Sequence, residues 1–219
     1  GGSDLVVSIG DAIQTLSAGT SNLRLGVGAG AALAAGGSYN VVVGDAAGAN
    51  NTTGINNSAL GYGALLRNTT GSFNTANGWY SLYQNTGNYN SAFGSSALAS
   101  NTTGQHNTAV GMSALFSNTT GLSNVAVGGA LGANTTGATN TATGFGALKL
   151  NTTGSSNVAA GAYALQSSVS ANYNVAVGFS ALGSNTTGGN NVASGHQSLS
   201  YNTTGGSNTA FGYRALESN

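Results

Sequence analysis

Reactive side chains are scarce in this chain and scattered where they occur. There are four carboxylates, Asp4, Asp11, Asp45 and Glu217, two imidazoles, His106 and His196, and no cysteine. A glycosidase needs two carboxylates facing each other across the bond to be cut. Serine-type hydrolysis needs a His and a carboxylate beside one of the many Ser or Thr hydroxyls. Neither grouping occurs at a local spacing: Asp4 and Asp11 lie near one end, Asp45 further in, and Glu217 at the far end. The two histidines are 90 residues apart, which argues against a shared metal within one chain. Glycine-rich stretches lack the Lys and the following helix of a phosphate loop. The expectation is a non-enzyme with no catalytic, metal-binding or cofactor-binding residue, and no cofactor.

Binding chemistry is better represented. Phe73, Trp79, Tyr80, Tyr83 and Tyr89, with Phe93 close by, form the densest run of aromatic residues, and Trp79 is the only tryptophan. Flat rings with a polar tip suit sugar rings or partner proteins. These five are the candidate receptor or glycan contacts. The plainer reading of the same rings is packing, along the chain or between subunits.

The elements that must position them are copies of one short sentence. The fullest copies read Asn-Thr-Ala-Val-Gly-x-x-Ala-Leu-x-x-Asn-Thr-Thr-Gly-x-x. The leading Asn recurs at Asn40, Asn57, Asn74, Asn90, Asn107, Asn124, Asn140, Asn157, Asn174, Asn191 and Asn208, in steps of 16 or 17 residues. A strict short period marks a stacked array in which each copy contacts only its neighbours. The apolar residues hold fixed positions in it, which a disordered low-complexity tract has no need to do. Asn-Thr-Ala-Val-Gly alternates with period two and reads as a strand. The x-x-Ala-Leu-x segment reads as a second strand, a Gly between them makes the corner, and Asn-Thr-Thr-Gly makes the return turn. Frequent Gly, Asn and Thr oppose helix throughout.

The fold class expected is therefore all-β: a parallel β-solenoid, or β-roll, of about thirteen coils of 16–18 residues, counted by corner glycines from Gly10 to Gly212. At about 4.8 Å per coil the rod is roughly 60 Å long. Residues 1–219 make one continuous solenoid, with irregular coils over 1–39 and regular repeats over 40–219. Ala and Leu columns fill a thin core, and the leading Asn residues form a ladder from coil to coil. The columns flanking the strand Ala, such as Val110, Val127 and Val177, make a half-apolar outer face. Such a seam along a rod reads as a site of self-association.

Composition narrows the partners. Charged residues are 4% and the formal net charge is zero, so no basic stripe exists to bind nucleic acid. No apolar run reaches about 18 residues, so no membrane insertion is expected. No signal peptide is visible at the start, and neither end carries a polar cap, which fits a filament or a piece of a longer fibre.

Gly26-Val27-Gly28-Ala29-Gly30-Ala31 and Asn40-Val41-Val42-Val43-Gly44 resemble the repeats of trimeric autotransporter adhesin heads, the YadA-like β-roll. The longer Asn-Thr-Ala-Val-Gly…Asn-Thr-Thr-Gly form also resembles repeats of bacteriophage tail fibres. The resemblance covers nearly the whole chain and departs from the adhesin head by its added Asn-Thr-Thr-Gly loop. It implies a left-handed roll, a homotrimer, and an extracellular place on a virion or a bacterial cell surface. It further implies a structural and adhesive role, with a cell-surface glycan or protein receptor as partner. Two other readings stay open: an ice-binding solenoid carrying Thr and Asn ladders, and the repeat subunit of an extracellular filament.

Overall fold

A computed structural model describes residues 21–34 and 36–218. It is a parallel β-solenoid. Among the described residues, twelve strands of three residues run from β1 (Leu23–Leu25) and β2 (Val41–Val43) to β11 (Val192–Ser194) and β12 (Thr209–Phe211). They pair parallel, in sequence order, into one twelve-stranded sheet. Register never slips: Ala76 faces Ala92, and Ala92 faces Ala109. No helix occurs among the described residues. The expected strand Val6–Ile9, its corner Gly10, and the carboxylates Asp4 and Asp11 lie outside the described residues.

Each coil holds one strand, not the two expected. The Ala-Leu segment is a chain of tight turns. In one coil Ala114 donates to the Gly111 carbonyl at 3.3 Å, Phe116 to Ser113 at 3.2 Å, and Asn118 to Leu115 at 3.1 Å. Leu115 adopts φ 52°, and ten leucines in this column share that left-handed conformation. A left-handed residue other than Gly costs about 1–2 kcal/mol, so it persists only where the surroundings hold it. Here the leucine side chain is driven fully inside: Leu82, Leu98, Leu115 and Leu148 are all completely buried. The chain must also reverse between Gly111 and Asn118, which an extended strand cannot do.

The core is a double column of small residues beside the leucines. Ala59, Ala92, Ala109 and Ala126 are buried on the strand side, and Ala64, Ala97 and Ala114 on the turn side. Ser81 and Ser198 replace the turn-side Ala in their coils. Each buries its hydroxyl by donating to the carbonyl of the corner glycine, Gly78 or Gly195, at 3.0 Å.

Two asparagine ladders flank this core. In the first, Asn107 donates its backbone N–H to Asn90 Oδ1 at 3.0 Å and its amide to the Gly121 carbonyl at 2.8 Å. Asn124 repeats the pattern on Asn107. The second ladder is built from the Asn of the return turn: Asn118 Nδ2 donates to Asn101 Oδ1 at 2.7 Å and to the Gly121 carbonyl at 3.1 Å. One glycine carbonyl thus ties both ladders together. These amides are buried and paired, so their repetition is explained by the rule that buried polar groups must find partners.

One coil interrupts the second ladder. Ser168 stands where its neighbours have Asn151 and Asn185, and Ala171 stands where they have Gly154 and Gly188. The two changes are linked. A methyl on Gly154 would press on the Ala171 carbonyl of the next coil and on Asn151 Oδ1, as one on Gly121 would press on the Gly137 carbonyl and Asn118 Oδ1; the shorter Ser168 removes the side-chain obstacle for the Ala171 methyl. The cost is polar: Asn151 Oδ1 and Ser168 Oγ are buried without a hydrogen-bond partner. Ser168→Asn alone is expected to destabilise by about 1–3 kcal/mol through overpacking. Combined with Ala171→Gly it should restore the ladder and gain about 1–3 kcal/mol over the parent. Urea midpoints of the four members of this cycle measure the coupling, and simple additivity would contradict the steric link.

Candidate functional site

The five candidate rings belong to one stretch of chain but fall into two groups. Phe73 and Tyr89 each precede the leading Asn of a coil, whereas Trp79, Tyr80 and Tyr83 follow the corner glycine. The strand β4 (Thr75–Asn77) lies between the two groups. No ring contact joins them among the described residues.

The first group is a ladder. Phe73 stacks on Tyr89 with centroids 4.9 Å apart and planes 9° apart, and Tyr89 stacks on His106 at 4.9 Å and 4°. Residues at this point of the coil are left-handed, at φ 59°, 58° and 58° here. That conformation points equivalent side chains the same way in every coil, so rings placed there meet face to face at the coil repeat. Phe73 and Tyr89 stay 45% and 49% exposed, which leaves their edges free for contact.

The second group is a cluster of crossed rings. Tyr80 sits at its centre, with its centroid 4.3 Å from Trp79, 4.8 Å from Tyr83 and 5.4 Å from Tyr62. Its place is made by Gly63 in the preceding coil, where any Cβ would run into the Tyr80 ring. Its hydroxyl is held above the ordinary phenol range, first by a hydrogen bond with Tyr62, then by burial and by the neighbouring phenols Tyr62 and Tyr83. The Arg67 guanidinium lies over the Tyr83 ring, 5.1 Å from its centroid. On the side of the following coils the cluster opens into a cleft of ≈ 430 Å³, where Trp79, Tyr80 and Tyr83 face Ser96, Ser100 and Phe116.

A third aromatic array is longer than either. Phe145, Tyr163, Phe179, His196 and Tyr213 make an unbroken file. The first two contacts are edge-to-face at 5.7 Å, and the last two are stacked at 5.2 and 5.5 Å. Four of the five stand directly after a corner glycine, which is visible in the repeat. Tyr163 stands one residue later, over Gly146, where a Cβ would approach the ring to 2.9 Å. The recoverable signal was the Gly-then-Tyr pairing in successive coils, Gly63 with Tyr80 and Gly146 with Tyr163.

The remaining polar candidates have structural partners. His106 and His196 each lie within a stack. Asp45 accepts the Val27 N–H at 2.9 Å, and Glu217 pairs with Arg214 at 3.0 Å. Among the described residues no three His, Asp or Glu side chains gather as a metal site. No helix long and apolar enough to cross a membrane occurs among those residues.

Compared with protein-family models, curated proteins and solved structures, the chain matches none. What the fold defines is a class of architecture, the parallel β-solenoid with polar ladders inside and aromatic files along its edges.

Proposed function

We propose that the chain is a non-catalytic segment of an extracellular fibre, borne on a virion or a bacterial cell surface. In this reading it is a homotrimer that displays aromatic files to a glycan or protein receptor. One observation carries the proposal. The core is already complete inside each coil, yet the sheet keeps a second apolar face outside. Val41, Leu60, Phe93, Val110, Val158 and Val177 are all exposed along it. An apolar stripe on a rod with few charges, broken by polar residues at Thr75 and Asn77 and again at Thr141 and Thr143, is best accounted for by burial against like rods.

Light scattering should give three times 21.2 kDa. Val110→Asp and Val177→Asp place a charge on the stripe without touching the core, so they should give folded monomers. A parent chain that is a folded monomer at micromolar concentration would refute the trimer.

The ice-binding reading is less well supported by the turn geometry. The first Thr of the return turn points its hydroxyl at the next coil rather than at solvent: Thr102 donates to the Thr119 carbonyl at 2.9 Å, and Thr119 to the Thr135 carbonyl at 3.1 Å. Thermal hysteresis of the purified chain would reverse this preference.

A further inference from the structure

We infer that the cleft beside Trp79 is a binding site for one neutral pyranose ring, which inserts as the missing rung of an aromatic ladder. The inference rests on the receptor-displaying reading above and specifies what one part of the surface takes.

The vacancy is a matter of register. Tyr83, Ala99 and Phe116 occupy the same place in three successive coils, nine residues after Asn74, Asn90 and Asn107. Rings in consecutive coils of this chain stack at 4.9 Å, as Phe73, Tyr89 and His106 do. Here the middle coil has a methyl instead of a ring. Its neighbours Ser96 and Ser100 are small as well, so a notch one coil wide stands between walls two coil steps apart, about 9.6 Å. A ring in the middle coil would have its centre about 4.8 Å along the stack from the positions of Tyr83 and Phe116, within the centroid range of about 4.5–7 Å for ring pairs.

The chemistry of the notch selects the occupant. Arg67 covers Tyr83 from the preceding coil and Tyr80 meets it edge-to-face, while Tyr83 still lines the cleft. No charged side chain lines the cleft; its polar groups are the Gln84 amide, the Ser96 and Ser100 hydroxyls and the tyrosine hydroxyls. A pyranose has C–H faces for the two aromatic walls and a rim of hydroxyls for those neutral partners. An aromatic side chain of a protein partner would fill the rung but leave the polar rim unused. The volume, ≈ 430 Å³, lies toward the small end of pockets that hold small molecules, about 300–1,000 Å³. That suits a single sugar unit rather than a long chain.

Trp79, 53% exposed at the mouth, is the only tryptophan, so its fluorescence reports on this site alone. The full chain is titrated with the methyl glycosides of glucose, galactose and N-acetylglucosamine, and with N-acetylneuraminic acid. The expected result is a saturable change with at least one neutral glycoside, with a dissociation constant on the order of 1 mM. The acidic sugar should give none. Ala99→Phe supplies the missing ring and should weaken binding at least about tenfold. Ser100→Lys blocks the same notch from its partly exposed rim and keeps the test valid should the first variant fail to fold. Lys149→Ala, exposed in a distant coil, should bind as the parent does. Absence of saturation with every neutral glycoside, or undiminished binding in a folded Ser100→Lys chain, overturns the site. So does calorimetry in which p-cresol binds more tightly than the sugars, which would point to a protein ring as the occupant. The fibre reading fails separately, through a monomeric mass, so the two failures are distinguishable.

Discussion

Asn107→Asp should unfold the middle of the rod at neutral pH, although it exchanges only an NH₂ for an oxygen. The Asn107 amide donates to Asn90 Oδ1 at 3.2 Å and to the Gly121 carbonyl at 2.8 Å. A carboxylate there would set an acceptor against two acceptors in a fully buried site. Leaving a buried charge unpaired costs about 3–5 kcal/mol. The introduced carboxyl escapes part of that by staying protonated, so its pKa in the folded chain rises above the unfolded value of about 3.9. A group whose folded pKa is raised favours folding below the unfolded pKa and withdraws that favour as pH rises toward the folded pKa. The variant should therefore come closest to parental stability near pH 3 and lose ground steadily above pH 4. Asn107→Ala should instead lose a constant amount at all pH values. Hydrogen exchange should localise the damage to the coils holding Asn90, Asn107 and Asn124, because stability in a stacked array is a nearest-neighbour property. A variant whose thermal midpoint matches the parent at pH 7 would show that the ladder amides are not buried acceptor-bound groups.

That ladder was legible before any coordinates, and the reason is physical. An Asn recurring at one register position cannot be a turn former alone when the residue two places on is Ala in ten of the eleven copies and buried in all of them. The corner glycines were legible for the same kind of reason. The Ala-Leu segment was misread as a strand because two apolar residues between small ones look alike in a pleated strand and in a left-handed turn. What decides between them is the carbonyl offered by the next coil: Leu115 N–H reaches Ala130 O at 3.2 Å, and Ser117 N–H reaches Gly132 O at 3.1 Å. Those bonds span a whole repeat and leave no local pattern.

The candidate rings show the same limit. Their proximity in sequence suggested one patch, but Phe73 enters the strand and Trp79 leaves it, so the coil itself separates them. Contacts that matter in a solenoid lie one period apart, and the Phe145 to Tyr213 file becomes visible only when the chain is written with its repeats in register.

Gly94→Ala should be as damaging as any core truncation, for reasons that three glycines can separate. Gly94 sits at φ +132°, where L-residues are rarely found, and a Cβ there would come within 2.7 Å of both the carbonyl carbon and the carbonyl oxygen of Gly111. Those are backbone atoms of the next coil, so no side chain can move aside. Relief requires the coils to part, which breaks the 2.8 Å bond from Gly111 N–H to the Phe93 carbonyl and the 3.0 Å bond from Ser113 N–H to Ser95. Backbone strain of about 1–3 kcal/mol and two unsatisfied buried groups at about 1–3 kcal/mol each together come to about 3–9 kcal/mol. Gly212 has the same kind of corner, φ +116°, but a Cβ there meets nothing within 4 Å. Gly212→Ala therefore carries the conformational strain without the collision and should cost about 1–3 kcal/mol. Gly132 has neither a positive φ nor a neighbour within 4 Å, so Gly132→Ala should be neutral or stabilising by under about 1 kcal/mol. Chemical denaturation of the three variants should rank them in that order. Equal losses at Gly94 and Gly212 would mean that the coils are free to part, and that corner glycines are retained for backbone conformation alone.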